Sequence, residues 1–255
     1  MTDHDFETFT SEDSVMANLK SLNVASEEVV RYGLHPSQFI EWYGPASDKV
    51  VCFVHGGIFH LDGTLDYLRP AALALGEAGY RVALVEFRFE AGNPSVTFED
   101  IRAVSRMPEL SSAVWVGHSS GAIFVLNALF DETFGVKHGV ALAPILDIAR
   151  DAAEFAGAEP NRTAQWIGGK PQDVPEAYAP FEPMRQYREL GAAGFQRLGL
   201  RLDIIHGAQD GIVPAARTKD LVEEPFNIAI VPDENHMDVI RPGSDSWLLL
   251  LGALG

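Results

Sequence analysis

The chain has 255 residues, 47% hydrophobic and 22% charged, an ordinary globular composition sufficient for the core of a single α/β domain. Its formal charge of -17 repels nucleic acid, anionic membrane surfaces and highly anionic substrates, so none of these is expected as a partner. Cys52 is the only cysteine, which excludes an intrachain disulfide and zinc sites built on several cysteines.

In chain order, "MTDHDFETFT" is acidic and lacks the basic and apolar regions of a signal peptide. "WLLLLGALG" near the other end falls far short of the about 20 residues a membrane helix needs. A soluble cytoplasmic protein is therefore expected, with a homodimer left open. "SEDSVMANLKSL" reads as a polar helix, and "VVRYGL" with "FIEWYG" as an antiparallel pair. From about residue 49 short β-rich runs alternate with helical patterns, the signature of an α/β fold whose mostly parallel sheet is flanked by helices. The strands are predicted at "VVCFVHG", "RVALVEF", "AVWVGHS", "GVALAPI", "LDIIHGA" and "NIAIVPD". With the antiparallel pair they make a sheet of about eight.

The helices follow from the apolar spacing between those runs. "LDYLRPAALALGEAGY" is one, with Pro70 kinking it or marking its true start. "TFEDIRAVSRM" opens on Thr97 and Asp100, spaced as in a capping box. "SGAIFVLNALF" is apolar on nearly every side and reads as a buried helix, and "SDSWLLLLGAL" is opened by Ser244 or Asp245. The stretch from about Leu146 to Leu200 is too long for a simple crossover. Its aromatic and apolar residues, among prolines and glycines, suggest a lid insertion; a crossover helix with long loops is the alternative.

The strongest chemical signal is "VWVGHSSGAIFVL", a Gly-x-Ser-x-Gly at residues 117–121 between a predicted strand and a predicted helix. A sharp strand-to-helix turn exposes the Ser119 hydroxyl above the carboxyl edge of the sheet, and only tiny neighbours leave room for it. The N–H of Ser120, at the positive end of the helix, is the expected oxyanion donor. A serine hydroxyl needs a base, and the base needs an orienting group. Of the eight histidines, His206 and His236 lie well downstream of Ser119. Asp210 falls in the loop after one predicted strand and His236 in the loop after the next, which gives the chain order Ser, Asp, His. Asp233, Glu234 and Asp238 adjoin His236 and compete with Asp210 as orienter. His118, next to the nucleophile, is expected to pack or hydrogen-bond.

"FVHGGIF" completes the pattern. It ends a strand on His55 and two glycines, where backbone can approach a substrate closely. Together "HGGIF", "GHSSG", "HGAQD" and "ENH" resemble the α/β-hydrolase superfamily, and within it the His-Gly-Gly carboxylesterases and the kynurenine-formamidase-like (arylformamidase) enzymes, over about residues 49 to 254. The resemblance implies an α/β-hydrolase fold and a second oxyanion donor pair at Gly57 and Ile58, with His55 bracing their loop. The chain departs from both groups: Ile58 stands where many esterases carry a third glycine, and Phe59 where formamidases carry tryptophan.

The expected activity is hydrolysis of small carboxylic esters by Ser119, His236 and Asp210 through an acyl-enzyme, in a pocket walled by Phe59, Trp166 and Phe181. Two alternatives accompany it: an arylformamidase acting on N-formylkynurenine-like substrates, and a non-catalytic ligand-binding protein that keeps the fold. No nucleotide-binding loop and no zinc-protease pattern occurs, so neither cofactor nor metal is expected.

Overall fold

A computed structural model describes residues 12–22, 24–57, 64–154, 161–221 and 224–255. Eight strands form one sheet: β1 (Glu28–Arg31), β2 (Phe39–Tyr43), β3 (Val50–Val54), β4 (Arg81–Glu86), β5 (Val114–His118), β6 (His138–Leu142), β7 (Arg201–Gly207) and β8 (Asn227–Val231). Their spatial order is β1-β2-β4-β3-β5-β6-β7-β8. Strand β1 pairs antiparallel with β2 and β2 antiparallel with β4, and every pairing from β4 to β8 is parallel.

The six parallel strands are the six continuous apolar runs of the sequence. A strand covered on both faces has no solvent side, so its residues are apolar throughout instead of alternating. Along β3 the side chains still divide by face: Cys52 and Val54 join one core, Val51 and Phe53 the other. The helices are α1 (Glu12–Ser21), α2 (Arg69–Glu77), α3 (Ser95–Ser105), α4 (Gly121–Phe130), α5 (Ile148–Glu154), α6 (Arg162–Ile167), α7 (Pro175–Tyr178), α8 (Pro183–Arg197), α9 (Ala216–Lys219) and α10 (Asp245–Leu254). Apolar residues of α1, α2 and α10 fill the core of one face, and those of α3, α4, α6 and α8 the other. All ten residues of α4 are buried. Each large apolar side chain removed from water there contributes roughly 1.5–3 kcal/mol, which fixes the helix that follows Ser119. No described helix is long and apolar enough to cross a membrane.

Pro70 lies in the first turn of α2, after a separate 3-10 turn at Leu65–Leu68, so it marks the true start of that helix. Ser244, not Asp245, caps α10, its hydroxyl accepting from the Trp247 N–H at 3.0 Å. The capping box at Thr97 is not formed. Helix α3 starts two residues earlier, Thr97 Oγ1 donates to the Arg88 carbonyl at 2.7 Å, and Asp100 is held by the Arg88 guanidinium and amide. A long-range arginine outcompetes the local cap.

Between β6 and β7 the chain builds α5 to α8 instead of a bare loop. These helices are welded to the rest: α8 packs on α4, and Asp151 of α5 accepts from Thr163 Oγ1 at 2.8 Å and faces the buried Arg217 of α9 at 3.4 Å.

Candidate active site

The strand order reverses at β3, whose neighbours are β4 on one side and β5 on the other. Such a switch point opens a crevice at the carboxyl ends of the two strands. The His55-Gly56-Gly57 loop leaves β3 there, and Ser119 leaves β5.

Ser119 has φ 56°, in the left-handed region that non-glycine residues avoid at a cost on the order of 1–2 kcal/mol. The strain is held by hydrogen bonds: its N–H donates to the Leu142 carbonyl at 2.9 Å, and its carbonyl accepts from Ala122 N at 3.1 Å and Ile145 N at 3.3 Å. Ala143, at the end of the adjoining β6, also has positive φ (45°), so two neighbouring strands end in the same strained turn. Gly121 permits the close approach, because a Cβ there would lie 2.4 Å from the Val54 carbonyl oxygen. Ser120 opens α4 and is buried; no acceptor among the described residues takes its backbone N–H.

On the β3 side, His55 is almost wholly buried (1% exposed), its Nε2 3.1 Å from Glu86 Oε1 and its Nδ1 2.7 Å from the Gly56 carbonyl. Its ring stacks on Phe87 with centroids 4.4 Å apart. Burial opposes a charge on this imidazole, but the Glu86 carboxylate and the Gly56 carbonyl outweigh it, so its pKa is raised. Glu86 also accepts from the N–H groups of Leu65 and Phe87, which ties the loop to β4. Gly57 adopts φ 75°, where only glycine is unstrained, and is half-buried. The other expected donor, Ile58, lies outside the described residues, as does Phe59 of the expected pocket.

On the far side, the loops after β7 and β8 bring together Asp210 and His236, the expected orienter and base. Asp210 Oδ2 lies 2.8 Å from His236 Nδ1, while Oδ1 accepts from the N–H groups of Ile212 (2.9 Å) and Val213 (2.7 Å). Two of the three neighbouring carboxylates are engaged elsewhere: Glu234 Oε1 accepts from Ser246 N, and Asp238 from Asn235 N and Arg241. His206, in the sequence only a second downstream histidine, lies behind Asp210. Its Nε2 is 2.9 Å from both Asp210 Oδ2 and the Val213 carbonyl, and its Nδ1 2.8 Å from Thr218 Oγ1. Two acceptors at Nε2 require the proton there, so His206 donates to Asp210. Burial pushes the Asp210 carboxyl up, but the His206 and His236 N–H groups and the Val213 amide more than reverse this and hold it well below the usual range. Asp210 is therefore a permanent carboxylate oriented at both oxygens.

His118 is buried too, 4.9 Å from His236 between ring centroids. Burial first, then the neighbouring His236, lower its pKa to about 3, so it is neutral. Of the expected pocket walls, Phe181 is half-buried and stacks on Phe98 at 4.9 Å. Trp166 is 0% exposed, enclosed by Phe89, Phe98, Phe124 and Phe181. It packs the core instead of presenting a wall, because α6 lies against α4 through that aromatic cluster. Among the described residues no three His, Cys, Asp or Glu are grouped to hold a metal ion.

Residues 53–245 match the model of the Alpha/beta hydrolase family, and the chain belongs to that family. Among solved structures it is similar to esterase B from Lactobacillus rhamnosis, at 16% identity over 96% of this chain and 95% of that one, with a TM-score of 0.63. A truncated carbohydrate esterase from gut microbiota gives 15% identity over 91% and 96%, with a TM-score of 0.66. The acetyl ester-xyloside bifunctional hydrolase from Caldicellulosiruptor lactoaceticus gives 14% over 91% and 96%, with a TM-score of 0.63. At such identities the likeness is one of fold. No curated protein sequence matches the chain.

Proposed function

We propose that the protein is a serine hydrolase that cleaves small carboxylic esters. The observation that carries this reading is the placement, at the carboxyl ends of the parallel strands, of a serine in a strained left-handed turn and a histidine whose Nδ1 is held by a buried carboxylate. Ser119 Oγ attacks the ester carbonyl carbon and its proton passes to His236 Nε2, Nδ1 being committed to Asp210. The negative charge on the former carbonyl oxygen is met by the N–H groups of Ser120, Gly57 and Ile58, each such donor being worth about 10²–10³ in kcat in comparable sites. Collapse breaks the ester C–O bond, and the leaving alkoxide takes the proton from His236. Water, deprotonated by the same imidazole, then attacks the acyl-enzyme and releases the acid and free Ser119.

Esters are supported as the substrate class by the three structurally similar hydrolases, two of them esterases and one an acetyl ester-xyloside hydrolase. This is analogy at the level of fold. The test is Ser119→Ala against wild type on a panel of short aryl esters, lactones, amides and N-formyl aromatic amines, with fluorophosphonate labelling alongside. Turnover of a short ester and labelling at Ser119, both lost in Ser119→Ala, are the expected results. Wild-type turnover by Ser119→Ala would remove the serine from the mechanism. Faster turnover of the N-formyl amine would move the assignment to a formamidase, and tight ligand binding without labelling would leave a binding protein.

A further inference from the structure

Tyr67 takes no part in the mechanism above, yet its hydroxyl lies where the catalytic loops meet. The Gly56 N–H donates to Tyr67 Oη at 2.7 Å, and the same oxygen is 2.9 Å from His118 Nδ1. His118 Nε2 in turn is 3.0 Å from the carbonyl oxygen of His236. The direction of every bond follows from the last one. A carbonyl only accepts, so Nε2 carries the proton; the neutral ring then offers a lone pair at Nδ1, the phenol donates to it, and the phenol oxygen is left to accept from Gly56. Tyr67, His118 and His236 are 3%, 1% and 3% exposed, so no water competes for these groups. Burial also keeps the phenol protonated and His118 neutral, which makes the polarity of the chain permanent near neutral pH.

We propose that Tyr67 and His118 are positioning residues that lock the oxyanion loop and the base loop to one another past the nucleophile. This rests on the serine-hydrolase reading. Gly56 precedes the donor Gly57 and runs hard against the nucleophile: a Cβ on it would lie 2.8 Å from Ser119 Cβ. Any shift of Gly56 therefore moves the Gly57 N–H relative to Ser119. At the other end, the carbonyl that His118 holds belongs to the residue whose imidazole is the base, and His118 itself is the residue before Ser119. A tyrosine needed only for packing would require one partner for its hydroxyl; both capacities of this one are spent on catalytic loops.

The experiment compares wild type, Ser119→Ala, Tyr67→Phe, His118→Gln and the Tyr67→Phe/His118→Gln double variant. It measures kcat and KM on a short p-nitrophenyl ester, the inhibition constant of a trifluoromethyl ketone analogue, and Tm. Tyr67→Phe is expected to lower kcat about 10- to 100-fold, the range for slight misplacement of reacting groups, with KM within about 3-fold. Inhibition by the ketone, which mimics the tetrahedral state, weakens in step with kcat/KM. The double variant falls no more than about 3-fold below the worse single one, because both substitutions cut one chain.

A folded Tyr67→Phe with kcat within about 3-fold of wild type, or fully multiplicative losses in the double variant, would overturn the proposal. If Tyr67→Phe does not fold, His118→Gln carries the test: its amide keeps a donor for the His236 carbonyl while the phenol loses its acceptor. Should no ester turn over, the rate of fluorophosphonate labelling replaces kcat with the same expected ratios. Persistent activity or labelling in Ser119→Ala would instead overturn the serine-hydrolase reading, and this proposal with it.

Discussion

His55 and His118 stand on either side of the crevice beside Ser119, each 1% exposed, each with both ring nitrogens hydrogen-bonded, and they hold opposite charge states. His55 faces a carboxylate and a carbonyl, two acceptors, so its pKa is raised despite burial. His118 faces one carbonyl and one hydroxyl that can donate, and burial lowers its pKa to about 3. Equal burial thus gives an ion pair in one place and a neutral relay in the other; the partners decide. The Nδ1 of His236 faces a carboxylate, that of Asp210, which stays ionised near neutral pH.

The sharpest way to break the contrast is at His236. Asp210→Asn removes the acceptor that fixes its tautomer, and kcat on the best ester of the panel is expected to fall about 10⁴-fold. A folded variant losing less than about 10-fold would show that Asp210 does not orient the base. On the His55 side the matching substitution acts on the fold instead. Glu86→Gln strands a buried imidazolium and is expected to cost about 3 kcal/mol in urea unfolding, with much less effect on kcat than Asp210→Asn. Unchanged stability would mean that His55 is neutral.

The two histidines also differ in how they couple stability to pH. The folded pKa of His118, about 3, lies below its ordinary 6.5, so its contribution is complete above about 6.5 and is lost as pH falls toward 3. His55 runs the other way: its raised pKa gives a contribution complete below its ordinary 6.5 and lost as pH rises through the folded value. Between pH 7 and pH 4 the stability advantage of wild type over His118→Gln should therefore shrink by roughly 3 kcal/mol. Parallel urea profiles for the two proteins would contradict a neutral, buried His118. The smallest effect is expected behind the acid. Thr218→Val removes the partner of His206 Nδ1 and should cost about 1 kcal/mol, with KM unchanged.

Much of this was legible in the chain. Strands buried on both faces read as unbroken apolar runs, and each of the six parallel strands falls inside its run. Ser119, Asp210 and His236 stand out as candidates because each follows such a run, and the structure places the Asp210 carboxylate against His236. The errors have a common cause in long-range partners. Thr97 and Asp100 have local capping-box spacing, but Arg88 claims both. Trp166 in a Gly- and Pro-rich stretch reads as a pocket wall, but it is 0% exposed, and Phe89, Phe98, Phe124 and Phe181 are among the aromatic neighbours that make it core. Tyr67 carried no signal at all, since a tyrosine in a helical pattern says nothing about a histidine 51 residues on. His206 was visible as a histidine, but its place behind Asp210 depends on a turn whose geometry the spacing does not reveal.

The strand order has a dynamic consequence. The His55-Gly56-Gly57 loop and Ser119 leave β3 and β5, near the middle of the sheet, whereas His236 follows β8, an edge strand whose residues before Val231 are exposed or half-buried. Amide exchange in such an edge needs only local opening, while exchange in β3 and β5 tracks the unfolding of the whole molecule. The site is therefore unevenly durable: as denaturant rises, the loop that holds His236 should open before the turn that holds Ser119, so turnover by the proposed mechanism should be lost ahead of global unfolding.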